Sequence, residues 1–201
     1  MKILIACEFS GVVRNEFASR GHDVTSCDLE PSLTLMQGNH YHGDVLDILY
    51  DNWDLIIAHP PCTYLCNSGV RWLKTEDGRY EKMLQASEFF SLFLNHPCPR
   101  ICIENPIMHS YAKTAIGGIK ESQIIHPWMF GHTQQKATCL WLKFLPPLKE
   151  TNNVYDKMAN MPYSERARVH YASPGKDRWK LRSITYKGIA KAMATQWSER
   201  L

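Results

Sequence analysis

The chain reads as an α/β domain: a doubly wound, mostly parallel sheet with helices on both faces and an antiparallel pair of strands at one edge. Three observations predict it. Short, wholly apolar runs such as Leu55-Ile-Ile-Ala58 fit strands buried on both faces, as in a parallel sheet covered from both sides. Stretches with helical spacing alternate with these runs. Polar or proline-bearing turns close the runs at one end: Glu8-Phe9-Ser10-Gly11, Pro60-Pro61-Cys62 and Glu104-Asn105-Pro106. That end is the carboxyl edge, where sheets of this kind bind ligands.

Taken in order, Lys2 to Cys7 is the first strand, and Val12 to Arg20 the first helix, closed by Gly21. Asp23 to Cys27 is a second strand ending in Asp28-Leu-Glu30-Pro31. An acid at that point is where doubly wound folds hold ribose hydroxyls. A polar loop carrying Gly38, Asn39, His40 and His42 leads to Gly43-Asp44-Val-Leu-Asp47. Trp53 to Ala58 is the central strand, stopped by Pro60 and Pro61, which offer no N–H to a ladder. Cys62 to Arg79 reads as a mobile polar loop over the sheet edge. Tyr80 to Leu94 is a helix with Met83, Ala86, Phe89, Phe90 and Phe93 on its core side. Arg100 to Pro106 is a further buried strand. Gln123 to Phe130 and Ala137 to Leu142 form the antiparallel pair. Residues 146–182 form a small irregular basic segment, and 183–201 hold a closing helix over Tyr186 to Arg200. Residues 1–201 make one domain without internal repeats.

At 201 residues the chain can bury a full core. No stretch approaches the roughly 18 apolar residues of a membrane span. The start, Met1-Lys-Ile-Leu-Ile-Ala-Cys-Glu8, is a strand and turns acidic too soon for a signal peptide. Seven cysteines, an odd number without compact disulfide spacing, suit a reducing cytoplasm. The net charge of +3 is uneven: residues 151–201 carry ten Lys/Arg against four Asp/Glu, leaving the first 150 at −3. A basic last quarter points to a polyanionic partner, although a solvated basic face has the same composition.

The chemistry lies at the carboxyl edge. A thiolate and a carboxyl at adjacent strand ends can act on one ring: the sulfur attacks an electron-poor carbon and the acid stabilises charge on a ring nitrogen. Cytosine needs this pair, because C5 becomes nucleophilic only after a thiolate adds at C6 and an acid contacts N3. Each residue alone has a bland alternative: Cys62 as a small buried hydrophobe, Glu104 as a cap on backbone N–H groups.

Pro60-Pro61-Cys62 resembles the Pro-Cys motif of DNA cytosine-5 methyltransferases, and Glu104-Asn105-Pro106 their Glu-Asn motif. Phe9-Ser10-Gly11 looks like a shortened form of their cofactor loop. Asp28 or Glu30 resembles the ribose-binding acid, and Asp44 the residue that meets the adenine amino group. The order matches, with Glu104 lying 42 residues after Cys62. The resemblance covers residues 1–106; Arg182 to Ala190 is only loosely similar to the last family motif. It implies a Rossmann-like, class I methyltransferase fold, S-adenosyl-L-methionine as cofactor, DNA as partner and a cytoplasmic location. It implies Cys62, Glu104 and Asn105 as catalytic residues. Glu8, Phe9, Ser10, Gly11, Asp28, Glu30, Asp44 and Pro60 would bind cofactor, and Pro61, Lys136 and Arg178 substrate; no metal is expected. Val13 replaces a usual glycine, Thr63 a usual Gln, and no arginine-rich motif follows Glu104, leaving Gln134, Gln135 and Lys136 to reach cytosine O2. The family's target-recognition domain is absent, as in a compact phage- or prophage-type member.

Five other readings stand beside this one. The same chemistry could act on a free cytosine nucleotide or transfer a modified methyl group. The scaffold could bind DNA or a partner without catalysis. An amino-methyltransferase would share His59-Pro60-Pro61 but wants an aromatic where Cys62 stands, and two-cysteine RNA methyltransferases carry cysteine where Glu104 stands. A zinc site on Cys62, Cys66, Cys98 and Cys102 would have three-residue spacing and one ligand inside a strand.

Overall fold

The computed structural model describes residues 1–34, 37–169, 171, 175 and 178–198. Seven strands form one sheet: β1 (Lys2–Ala6), β2 (Asp23–Asp28), β3 (Asn39–His42), β4 (Leu55–Ala58), β5 (Ile101–Pro106), β6 (Gln123–Ile125) and β7 (Thr138–Lys143), in the order β3-β2-β1-β4-β5-β7-β6. β3, β2, β1, β4 and β5 run parallel, and β7 runs antiparallel to both neighbours. This is the Rossmann-like α/β architecture expected, with the antiparallel strand inserted next to one edge.

Alternate residues of each strand point to opposite faces, so the sheet separates two cores. Leu4, Ala6, Ile56, Ala58, Ile101 and Ile103 face one of them, with α2 (Arg79–Leu94) and α3 (Ser110–Ala115) packed above. Met83, Phe90 and Phe93 of α2 are fully buried there, and Ala86 and Phe89 pack at its margin. Ile3, Ile5, Leu55, Ile57 and Cys102 face the other core, under α1 (Val12–Ala18) and α7 (Lys187–Trp197). Trp197 and Phe17 fill this layer. Gly188 lets α7 start against the chain: a Cβ there would stand 1.9 Å from the Phe130 carbonyl oxygen.

Several local expectations change. The stretch containing His40 and His42 is the edge strand β3 rather than a loop. It pairs with β2 on one side only, so it needs no apolar pattern. Its imidazoles bond to β2 and the turn after it: His40 to the Ser26 hydroxyl at 2.9 Å and the Glu30 carbonyl at 3.1 Å, and His42 to the Leu29 carbonyl at 3.0 Å. The segment read as a mobile loop is pinned. Asn67–Lys74 forms a 3₁₀ helix, the Asn67 N–H donates to the Ile107 carbonyl at 3.1 Å, and the His109 N–H donates to the Leu65 carbonyl at 3.0 Å. The strand over Gln123–Phe130 stops at Ile125, because Pro127 starts a 3₁₀ turn through Met129. Residues 146–182 contain α4 (Tyr155–Ala159), α5 (Tyr163–Arg166) and the start of α6 (Arg178–Ser183). No helix among the described residues is long and apolar enough to cross a membrane.

Candidate active site

The ends of β1, β4 and β5 meet at one edge, as their registers require: Ala6 lies beside Ala58, and Ala58 beside Ile103. His59 and Glu104 are therefore lateral neighbours. Their side chains bond at 2.8 Å, Nδ1 to Oε2, and are only 9% and 11% exposed. Asn105, buried beneath, donates its Nδ2–H to the Pro60 carbonyl at 2.9 Å and so ties the two strand ends together. Pro60 is buried, Pro61 exposed and Cys62 half-buried at the tip.

After Cys62 the chain turns at once, with the N–H groups of Leu65 and Cys66 both donating to the Cys62 carbonyl at 3.0 Å. The turn brings the Cys66 thiol onto that of Cys62. The Cys66 sulfur also meets the Ser68 hydroxyl at 3.0 Å. His109 braces the turn: its Nε2–H donates to the Tyr64 carbonyl at 3.0 Å while Nδ1 accepts from Ala112 N–H at 3.0 Å and caps α3.

Charge on these groups is set locally. The hydrogen bond to Cys66 and burial push the Cys62 thiol up, Glu104 adds to this, and Lys136 draws it down. Cys66 moves the other way, because the Cys62 thiol donates to it and Ser68 assists. The proton the two sulfurs share therefore rests on Cys62, with the negative charge on Cys66. Burial works to raise Glu104, but the His59 hydrogen bond, the His59 charge and Lys136 outweigh it and hold the carboxyl below its usual range. Lys136 thus reaches Glu104, His59 and Cys62 together. Its Nζ is anchored on the Arg182 carbonyl at 3.1 Å.

The neighbouring strand ends carry the remaining candidates. Gly11 adopts φ +70 at the start of α1, and a Cβ there would stand 2.6 Å from the Arg14 guanidinium and the Thr34 methyl, so only glycine fits. Glu8 is buried and occupied in capping α1: Oε1 accepts from the Ser10 hydroxyl and Val13 N–H, Oε2 from Arg14 N–H. Ser10 also accepts from Val12 N–H at 3.3 Å. Phe9 is buried, with its ring edge-on to Trp179 at 5.7 Å. Asp28 accepts the Glu30 N–H at 2.9 Å, and burial raises its carboxyl. Asp44 caps the 3₁₀ turn Val45–Asp47. Burial pushes the Cys7 thiol up, with the Asp28, Cys27 and Asp44 charges adding, which places Asp28 and Asp44 around one spot beyond β1 and β2. Glu30 is paired with Lys180 at 2.7 Å, and its charge adds to the rise of Asp28.

A cleft of about 1400 Å³ opens at Lys136 and runs past Arg168, Arg178, Arg182, Lys187 and Asn15. Gln134 faces inward, its amide donating to the Thr133 and Glu165 carbonyls, and the Gln135 N–H donates to the Arg166 carbonyl at 2.7 Å. Lys176 lies outside the described residues. Among the described residues no three His, Cys, Asp or Glu side chains are set to hold a metal.

The structure thus brings Cys62, Glu104, Asn105, Pro60 and Lys136 to one place, with Asp28, Asp44, Phe9 and Gly11 beside it. His59 and Cys66 are participants that sequence reasoning missed. His59 could have been found from its register opposite Glu104, and Cys66 from its place one turn after Cys62.

No protein-family model and no curated protein matches the chain. Among solved structures it is similar to the Entamoeba histolytica methyltransferase EhMeth, 14% identical, covering 76% of this chain and 57% of that one with a TM-score of 0.46. It is also similar to the S. pombe Dnmt2 methyltransferase, 13% identical, covering 90% and 62% with a TM-score of 0.42. MtNAS in complex with MTA and tNA is 11% identical and covers 72% and 53% with a TM-score of 0.40. The chain spans less than two thirds of each of these proteins, and the likeness to them is one of fold.

Proposed function

We propose that this protein transfers a methyl group from S-adenosyl-L-methionine to C5 of cytosine in DNA, through a covalent bond between Cys62 and C6. The observation that carries this is that Cys62 stands close enough to Glu104 and Lys136 to feel the charge of both, and Glu104 that of Lys136. The residues beyond β1 and β2 suit the cofactor: Asp28 stands at the end of β2, its carboxyl raised by burial, where a ligand bearing hydroxyls could meet it. When bound, S-adenosyl-L-methionine supplies an electrophilic methyl group.

The chain's own residues supply the rest. Cys62 gives its proton to water, the Lys136 charge favours the thiolate, and the sulfur attacks C6. Glu104 takes up a proton as the base enters and donates it to N3, where negative charge develops, and Asn105 and Pro60 keep the two strand ends in register. Water removes the C5 proton, after which the sulfur leaves. The basic cleft beyond Lys136 favours a polymer over a free nucleotide, because its volume and its row of cations suit several phosphates. Extruding the base costs a few kcal/mol, least from a single strand or a mismatch.

The test is mass spectrometry of nucleosides after incubation with S-adenosyl-L-methionine and single- or double-stranded DNA. 5-Methylcytosine is expected from the wild type. Transfer to dCMP or dCTP alone would make the substrate a free nucleotide, and no transfer with retained DNA binding would make the protein a binder.

A further inference from the structure

We infer that His59 is a positioning residue: its Nδ1–H holds one oxygen of Glu104 so that the other faces the target base. This deepens the cytosine-C5 reading and rests on it.

The geometry comes from the sheet. β4 and β5 are parallel neighbours, so the residue after Ala58 must lie beside the residue after Ile103. A carboxylate oxygen can only accept, so the Nδ1 of His59 carries the proton of the 2.8 Å bond. That bond fixes Oε2 and with it the plane of the carboxyl, leaving Oε1 unbound among the described hydrogen bonds. The other ring nitrogen, Nε2, is buried and has no partner among the described residues. A second proton there would leave a buried N–H unsatisfied, which burial opposes, whereas the anion on Glu104 invites it.

The groups that face the ring are few. Glu104 comes from β5, Glu8 from the end of β1, and Lys136 from the segment before β7. The first two raise His59 and Lys136 lowers it; on balance the ring sits above its ordinary value despite burial. Glu104 sits correspondingly low. Cytosine N3 offers only a lone pair, so a base against Oε1 calls for a proton that His59 and Lys136 disfavour. His59 therefore sets how strongly the site resists that proton, and hence the pH at which the site accepts the base.

The test compares the full-length wild type with His59→Asn and His59→Ala. Asn can donate from a position close to that of Nδ1 but cannot become charged. The first readout is a pH titration of the ligand-free protein, followed by NMR of Glu side-chain carboxyl carbons and His rings. Glu104 is expected below its ordinary 4.5 in the wild type, above it in His59→Ala, where burial acts alone against Lys136, and between the two in His59→Asn. His59 is expected to titrate above 6.5. The second readout is the pH profile of methyl transfer. His59→Ala should lose roughly a hundredfold, within the range of a misplaced acid–base group. His59→Asn should recover at least tenfold of this while its alkaline limb moves to higher pH. A merely structural histidine predicts no such movement. One common Glu104 titration in all three proteins, or a His59 that titrates at or below 6.5, would overturn the inference. If His59→Ala does not fold, the wild type and His59→Asn decide it. A wild type without methyl transfer would count against the cytosine reading, and the titration would still decide the pairing.

Discussion

Replacing Glu104 by Gln keeps the shape of the side chain and an acceptor for the His59 N–H, and removes only the charge. A hydrogen bond to a charged group contributes about 1.5–3 kcal/mol and a neutral one about 0.5–1.5 kcal/mol, so the variant should be less stable by about 1–2 kcal/mol. The loss should depend on pH with a definite sign. Glu104 is held low in the folded state, so its contribution is present above the ordinary 4.5 and disappears as pH falls through the lower folded value. His59 is held high, so its contribution is present below 6.5 and disappears as pH rises through the higher folded value. The gap between wild type and variant is therefore widest between those two ordinary values and narrows on either side. Urea unfolding at half-unit steps from about pH 3 to 9 measures it. With a slope of about 2 kcal/mol per molar, the midpoint should shift by about 0.5–1 M near pH 5.5. A gap that stays constant across this range, or is widest at its acid end, would show that the two groups do not share charge.

Three further outcomes are expected. Cys62→Ser should abolish methyl transfer while binding of S-adenosyl-L-methionine, measured by calorimetry, stays unchanged; transfer at the wild-type rate would remove the covalent mechanism. Arg14→Met should destabilise the fold by about 3 kcal/mol, because a guanidinium 1% exposed links α1 to Ser26 at 2.9 Å and Ser32 at 3.1 Å as well as to the Thr34 carbonyl. A melting temperature lowered by less than about 2 °C would show that these bonds are replaced. Changing Arg168, Arg178 and Lys187 to Gln should reduce the salt slope of duplex binding by about 3, near one per phosphate contact. An unchanged slope would place DNA on another face.

The central strands were legible because β1, β4 and β5 carry apolar runs that end in turns which glycine, proline or acids announce. Leu55–Ala58 could hardly be anything else, and the same holds for β5 with its closing proline. β3 was not legible, since Asn39–His42 is exposed and its register comes from hydrogen bonds to β2 that no side-chain pattern encodes. The rigidity after Cys62 was hidden for a related reason: it comes from contacts with residues 107–109, more than forty positions away. At the site, chemistry-bearing residues could be read from motif order, but not their charge. That Lys136 is the cation favouring the Cys62 thiolate follows only from the antiparallel insertion of β7, which turns the preceding segment over the pocket. Glu8 shows the converse: its motif position points to the cofactor, while its oxygens are bonded to the first turn of α1.

One short helix ties the two halves of the site together. α6 sets Trp179 on Phe9 and Lys180 on Glu30 beyond β1 and β2, and its Arg182 carbonyl anchors Lys136 near Cys62 and Glu104. The strengths of these contacts decide how firmly it sits. The Glu30–Lys180 pair is about a third exposed, so solvent screening leaves it at most about 1 kcal/mol. The edge-on ring pair adds about 0.5–1.5 kcal/mol beyond its buried area. A helix of six residues has little stability of its own. These two contacts together contribute a few kcal/mol, comparable to the cost of extruding one base. Lys136 is bonded to the backbone of that helix, so under the proposed function α6 links the cation beside Cys62 and Glu104 to the residues expected to hold S-adenosyl-L-methionine.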